Sequence, residues 1–247
     1  MTLAANLTLL FSPAATWEKI DAAADAGFAG VEILQPYNED ADDLRHTLEA
    51  AGPTLVLINT YEPEWDAGGR GYAAIPEAGA KFRESLKRSL AFAYAAACPR
   101  VHILAGCAEG EEARATYLEN LAFAAELAPD ISFTIEPLNP VDQPGYFLNG
   151  FDQAASILKD LGRTNVGLQF DTYHADKITG NSADAWSSYR SLVTHVQVAG
   201  PGRHAPGADE IDLIRQMRTD GYSGWISAEY LPDGPTEDCL GWMTDLI

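Results

Sequence analysis

Four residues able to bind a cation each close a short, strand-like run. They are Glu136 after Phe133-Thr134-Ile135, Asp171 after Gly167-Leu168-Gln169-Phe170, Gln197 after His195-Val196, and Glu229 after Trp225-Ile226-Ser227-Ala228. Three carboxylates and an amide brought together suit a hard divalent cation, because every donor is an oxygen. No thiolate and no histidine stands at these positions, which favours Mg²⁺ or Mn²⁺ over a structural zinc. Clustered carboxylates repel one another unless a cation or proton offsets the charge. A cation would also serve as a Lewis acid. Each carboxylate alone reads equally well as a loop residue, a helix cap or half of an ion pair, so the argument rests on their joint spacing. Glu136 and Glu229 on opposite sides of one small ligand could remove a proton from one carbon and return it to the neighbouring carbon. That is the chemistry of aldose–ketose isomerisation.

The elements that must position these residues follow from the spacing. The gaps between the four are 35, 26 and 32 residues. A (β/α)₈ barrel spends roughly 31 residues on each strand-helix unit and gathers the strand ends at one face. Apolar β-type runs alternate with longer Ala-rich amphipathic stretches along the whole chain, eight times in all, which argues for a closed parallel sheet. Expected strands lie near 4–9, 30–33, 54–59, 100–104, 131–136, 166–171, 194–198 and 225–229. Thr16 is the expected cap of the first helix. One helix is expected over 183–192. Loops 60–77, 137–149 and 199–209 are long and follow strand C-termini, where barrel chemistry sits. No linker divides the chain, so residues 1–247 form a single α/β domain.

Other polar residues fall near this face. His174 follows Asp171 by three residues and could bond a substrate oxygen or simply a local backbone group. Arg203 and Arg70 sit beside glycines on two of the long loops, where a guanidinium can grip a carboxylate with two bonds. The alternative for both is a solvated loop arginine. Glu32 and His195 lie inside strands, and each reads as a satisfied core polar group. Cys98 and Cys107 read as small hydrophobes.

The 247 residues are 47% hydrophobic, enough for one sizeable core. Sixteen basic against 36 acidic residues give a net charge of −20. Such a chain repels nucleic acid and anionic membranes. No apolar stretch reaches membrane-spanning length. The N-terminus lacks the basic start of a secretory signal. Three cysteines without metal-type spacing point to a reduced cytoplasm.

The ordered motifs Ala5-Asn6-Leu7-Thr8, Gly30-Val31-Glu32, Gly69-Arg70-Gly71 with Ile75-Pro76, and Ile135-Glu136-Pro137-Leu138-Asn139 resemble the hydroxypyruvate isomerases of the xylose-isomerase-like TIM-barrel superfamily. The likeness continues through Pro144-Gly145-Tyr146-Phe147, Asp171-Thr172-Tyr173-His174, His195-Val196-Gln197, Pro201-Gly202-Arg203-His204 and Glu229-Tyr230, and so covers nearly the whole chain. It implies metal ligation by Glu136, Asp171, Gln197 and Glu229, an acid–base pair of Glu136 and Glu229, and substrate contacts from His174 and Arg203. In the related ketose 3-epimerases an acidic residue six places after the first glutamate contacts substrate, and Asp142 stands at that offset. Those epimerases carry His as third ligand, whereas Gln197 matches the hydroxypyruvate branch. Gly200 and the 204–210 segment depart from that branch. Val198-Ala199-Gly200 and the Asp171–Ala175 segment look like the sister 2-oxo-tetronate isomerases.

The resulting expectation is a cytoplasmic, Mg²⁺- or Mn²⁺-dependent isomerase interconverting hydroxypyruvate and tartronate semialdehyde through an enediolate. Arg203, helped by Arg70, would hold the carboxylate of this small hydroxy-keto acid. The nearest alternative is 2-oxo-tetronate isomerisation, and a hydride shift is the alternative mechanism. A metal-dependent polyol dehydratase, a metal-dependent endonuclease and a non-catalytic sugar-acid binding protein are the rivals from other classes. Association into a homo-oligomer is compatible with such a barrel, but no interface is readable in the sequence.

Overall fold

Residues 2–246 are described by a computed structural model. Eight parallel strands form a closed barrel in sequential order: β1 (Thr2–Asn6), β2 (Gly30–Glu32), β3 (Thr54–Asn59), β4 (Arg100–His102), β5 (Ser132–Ile135), β6 (Val166–Asp171), β7 (Val193–Val198) and β8 (Trp225–Ala228). Pairing of β1 with both β2 and β8 closes the ring. Helices on the outside are α1 (Thr16–Asp25), α2 (Ala41–Ala51), α3 (Gly79–Ala95), α4 (Gly110–Leu127), α5 (Phe151–Leu161), α6 (Thr172–Thr179), α7 (Ser182–Tyr189) and α8 (Ala208–Thr219), with a short α9 (Gly241–Thr244) at the end.

Alternation along the strands decides what each face does. Phe133, Ile135, Leu168, Phe170, Val196, Val198, Ile226 and Ala228 join the main core with helix residues such as Leu86, Leu121, Ile157, Trp186 and Met217. Burial of each large side chain there stabilises the fold by about 1.5–3 kcal/mol. The intervening residues Thr134, Gln169, His195, Gln197 and Ser227 point to the opposite face and are buried and polar. Barrel interiors are commonly filled by branched apolar side chains. Here the upper interior is polar instead, joined to the strand-end acids.

The expected strands exist, with small shifts at their ends. β5 and β8 stop one residue before Glu136 and Glu229, and β4 ends at His102. Three expectations need correction. Ala15 rather than Thr16 is the N-cap of α1; Glu18 accepts from the Ala15 amide at 2.9 Å, while the Thr16 hydroxyl donates to Glu39. The expected helix over 183–192 is α7 followed by a 3₁₀ turn at Arg190–Leu192, and α6 precedes it. Cys98 is buried as expected, but Cys107 is exposed, because it lies in the loop after β4 and bridges Tyr146 only through its backbone.

Candidate active site

Glu136 follows β5 directly, Asp171 ends β6, Gln197 is the penultimate residue of β7, and Glu229 follows β8. The barrel brings all four to its C-terminal end, each at most 5% exposed. A cavity of about 360 Å³ opens there, with Glu136, Gln197 and Glu229 in its wall beside His174, Arg203, Arg70 and Asp142. Glu136, Asp171 and His174 each offer a donor atom within 4.8 Å of the others. His174 therefore stands among the acids as well as in the cavity wall. Glu229 joins the group through Arg203, whose Nη2 lies 3.1 Å from Glu229 Oε2 and 3.5 Å from Asp171 Oδ2.

Hydrogen bonds behind the site fix how the donors point. Gln169 Nε2 donates to Glu136 Oε2 at 2.9 Å and to Gln197 Oε1 at 2.7 Å, while its own oxygen accepts from the Thr134 hydroxyl at 2.8 Å. Gln197 Nε2 donates to Glu32 Oε2 at 2.9 Å. Glu32 also accepts from Asn6 and pairs with His195. These bonds leave the Gln197 oxygen on the side of the acids. Asp171 Oδ1 caps α6 by accepting from the Tyr173 amide at 2.8 Å. Glu136 and Asp171 thus each spend one oxygen on an outer partner and keep the other free of backbone or amide donors, whereas Gln197 is held through both its polar atoms and Glu229 through Arg203. Outer bonds of this kind orient metal ligands, and the all-oxygen set fits a hard divalent cation.

The electrostatics are those of crowded, buried acids. Burial, followed by the nearby Glu229 and Asp171, holds Glu136 well above the ordinary carboxyl range. Burial pushes Glu229 up to about 8 against the pull of Arg203. Burial works against the charge of Arg203, but Glu229, Asp171 and Glu136 outweigh it and strengthen its hold on the proton. Burial lowers His174 to about 4, so it is neutral at pH 7. The Asn139 amide donates to His174 Nδ1 at 3.0 Å, which leaves the proton on Nε2, 3.8 Å from Asp171 Oδ2.

Arg203 stands on a strained turn. Its φ is +64°, a left-handed conformation uncommon for a side-chain-bearing residue. Its amide bonds Gly200 O at 3.0 Å and its carbonyl accepts from Leu231 N at 2.8 Å. Such strain persists where surrounding structure enforces it, and it gathers at functional sites. Arg70 lies in the same wall with its guanidinium 4.5 Å from the Trp65 ring centre. Asp142 lies there too, but its carboxylate already accepts from Tyr173 at 2.6 Å and Asn139 at 2.9 Å and faces Lys177 at 3.4 Å. Sequence reasoning missed Gln169, Asn139 and His102, which lines the cavity with its Nδ1 3.6 Å from Glu136 Oε2. Gln169 and Asp171 share strand parity, and that signal could have found the first.

A family model for the xylose isomerase-like TIM barrel matches residues 20–246. The chain belongs to that family. It is 41% identical to the 2-oxo-tetronate isomerase of Cupriavidus necator, over 97% of this chain and 96% of that protein. It is 33% identical to the hydroxypyruvate isomerase of Escherichia coli, over 98% of each. A crystal structure described as AP endonuclease, family 2, from Brucella melitensis superposes with a TM-score of 0.93 at 36% identity, covering 99% of this chain and 98% of that one. The full-length relatives carry isomerase names, and the chain is an enzyme of that class. No helix among the described residues is long and apolar enough to cross a membrane.

Proposed function

We propose that the chain isomerises short acids with a 2-oxo group and a 3-hydroxyl, moving hydrogen from C3 to C2. Hydroxypyruvate is the smallest such acid and would give tartronate semialdehyde. The observation that carries this reading is the pair of buried glutamates, Glu136 and Glu229, in the wall of one small cavity beside the half-buried Arg203. One glutamate, ionised, takes the C3 proton to leave an enediolate, the proton of the C3 hydroxyl passes to O2, and the other glutamate, protonated, delivers its proton to C2, so that C3 becomes the aldehyde and C2 carries the hydroxyl. Their raised proton affinities suit groups that must both gain and lose a proton near neutral pH. Arg203 binds the substrate carboxylate, and Arg70 adds positive charge at the mouth. His174 presents Nε2–H to a substrate oxygen. Glu136, Asp171, Gln197 and Glu229 would hold Mg²⁺ or Mn²⁺, with His174 beside them. When bound, the cation supplies charge that polarises the carbonyl.

A second reading has specific support. The 41% identity to a 2-oxo-tetronate isomerase and the Val198-Ala199-Gly200 segment favour the acid one carbon longer, which has the same 2-oxo, 3-hydroxy pattern. The endonuclease description of the Brucella neighbour finds no support in a chain of net charge −20, which repels a phosphate backbone. Side-by-side kcat/KM values on hydroxypyruvate and 2-oxo-tetronate, with Mn²⁺ and with chelator, test the proposal. Glu136→Gln and Glu229→Gln are each expected to lower kcat by about 10²–10⁴ while the circular dichroism spectrum stays unchanged. Full activity in either variant would sink the acid–base assignment.

A further inference from the structure

The catalytic cavity has a neighbour at the barrel mouth. A second chamber of the same volume, about 360 Å³, opens beside it over the ends of β1, β2 and β3. Thr8 and Trp65 line both chambers and so form the wall between them. Thr8 is pinned, its hydroxyl accepting from Leu34 N and its amide donating to Asn6 Oδ1, both at 3.0 Å. Trp65 is half-buried and packs on the small cluster of Ala4, Leu34, Val56 and Leu57. Polar side chains of Thr16, Lys19, Gln35, Asn38 and Tyr61 line the second chamber, those of Thr16 and Gln35 already bonded to Glu39 and to the Thr60 and Glu62 backbone, a lining suited to hydroxyl-bearing chains.

The loop that carries Trp65 is drawn tight around one buried carboxylate. Glu62 accepts from Glu64 N at 3.0 Å, Gly71 N at 2.7 Å and the Tyr72 hydroxyl at 2.9 Å. A Cβ on Gly69 would stand 2.7 Å from Glu62 Cδ, so the backbone closes directly on the acid. Arg70, stacked on the indole, also donates to Gly69 O at 2.7 Å and to Trp65 O at 3.3 Å. The wall is therefore built into the fold.

We infer that Trp65 determines substrate length: it ends the catalytic cavity and bars polyhydroxylated acids of five or six carbons from reaching into the second chamber. The inference takes the class of acid from the isomerase reading, but ligand binding tests it without turnover. Aldonates of three to six carbons lack the carbonyl and cannot isomerise, so their affinities for the Mn²⁺-loaded protein can be measured by calorimetry. The wild type is expected to bind the three- and four-carbon acids at least about tenfold tighter than the six-carbon acid. In Trp65→Ala and Trp65→Leu the six-carbon acid is expected to gain about tenfold or more, while the three-carbon acid gains nothing. Two substitutions are used so that a folding failure in one, seen by thermal melting, leaves the other to decide. No discrimination in the wild type, or an unchanged ratio in a folded variant, overturns the inference. Turnover of hydroxypyruvate and 2-oxo-tetronate is assayed in parallel. Inactivity of the wild type on both would remove the isomerase reading and leave the binding ratios to judge Trp65.

Discussion

Gln169 ties two of the proposed ligands together through one amide nitrogen, shared between Glu136 and Gln197. Replacing it with leucine would leave both acceptors without that donor and strand the Thr134 hydroxyl. Outer partners of metal ligands typically affect affinity or activity by about 10–100-fold, so Gln169→Leu is expected to weaken Mn²⁺ binding by that factor. A titration followed by electron paramagnetic resonance measures it, and wild-type affinity in the variant would show that Gln169 does not orient the ligands. The strand-end residues were legible in the sequence because each interrupts an apolar run at a place the barrel must bring to one face. Gln169 was not, because a polar residue inside a strand looks the same whether it supports a site or fills the core. Glu32 and His195 each read from the sequence as a satisfied core polar group, with no partner named. They are paired, and their pairing also anchors the Gln197 amide. Asp142 was placed by its offset alone, and only the structure shows its carboxylate engaged by Tyr173, Asn139 and Lys177.

The loop between β3 and α3 is the element whose shape the sequence conveyed least. Its length and glycines marked it as a mouth loop, but not that it winds around Glu62 and sets Trp65 as a wall. Gly71 shows how tightly it is held. Its φ is +92°, and a Cβ there would meet both Cβ and the carbonyl oxygen of Leu104 at 2.4 Å. Gly71→Ala is expected to cost about 1–3 kcal/mol from the backbone conformation alone. The contact with Leu104 should add to this and lift Arg70 away from the cavity. Urea unfolding measures the first effect, and a rise in KM measures the second. A variant of wild-type stability and KM would mean that the loop relaxes without cost. Helix α6 escaped notice for a different reason. It has only eight residues, and the aspartate that caps it reads from the sequence as a metal ligand. One side chain serves both ends, since Oδ1 caps the helix while Oδ2 faces His174 and Arg203.

At the scale of the whole molecule, the eightfold alternation made the barrel legible, and the polar interior joins its fold to its site. Placing three buried acids around one arginine has a thermodynamic consequence. Glu229 has its proton affinity raised from 4.5 to about 8, and Glu136 is raised as well. At these two groups the folded protein binds more protons than the unfolded chain across that interval, so their contribution falls as pH rises, while His102, His174 and His195, whose charging burial opposes, work in the opposite sense up to about 6.5. The contribution of the two glutamates is fully present below 4.5 and is lost as pH passes through the folded value of about 8. A divalent cation held by the ionised acids acts in the opposite sense, because it competes with those protons. Above 6.5, where the histidines no longer contribute, the cation-free protein is thus expected to lose thermal stability up to about pH 8. Added Mn²⁺ should raise Tm most at the upper end and hardly at all at the lower. At a hundredfold excess over Kd, binding contributes about 2.7 kcal/mol, or roughly 5–10 °C for a chain of this size. Melting curves across that pH range, with Mn²⁺ and with chelator, measure the difference. A Tm increment independent of pH would mean that the cation does not displace protons from Glu136 and Glu229, and the assignment of those glutamates as ligands would fail with it.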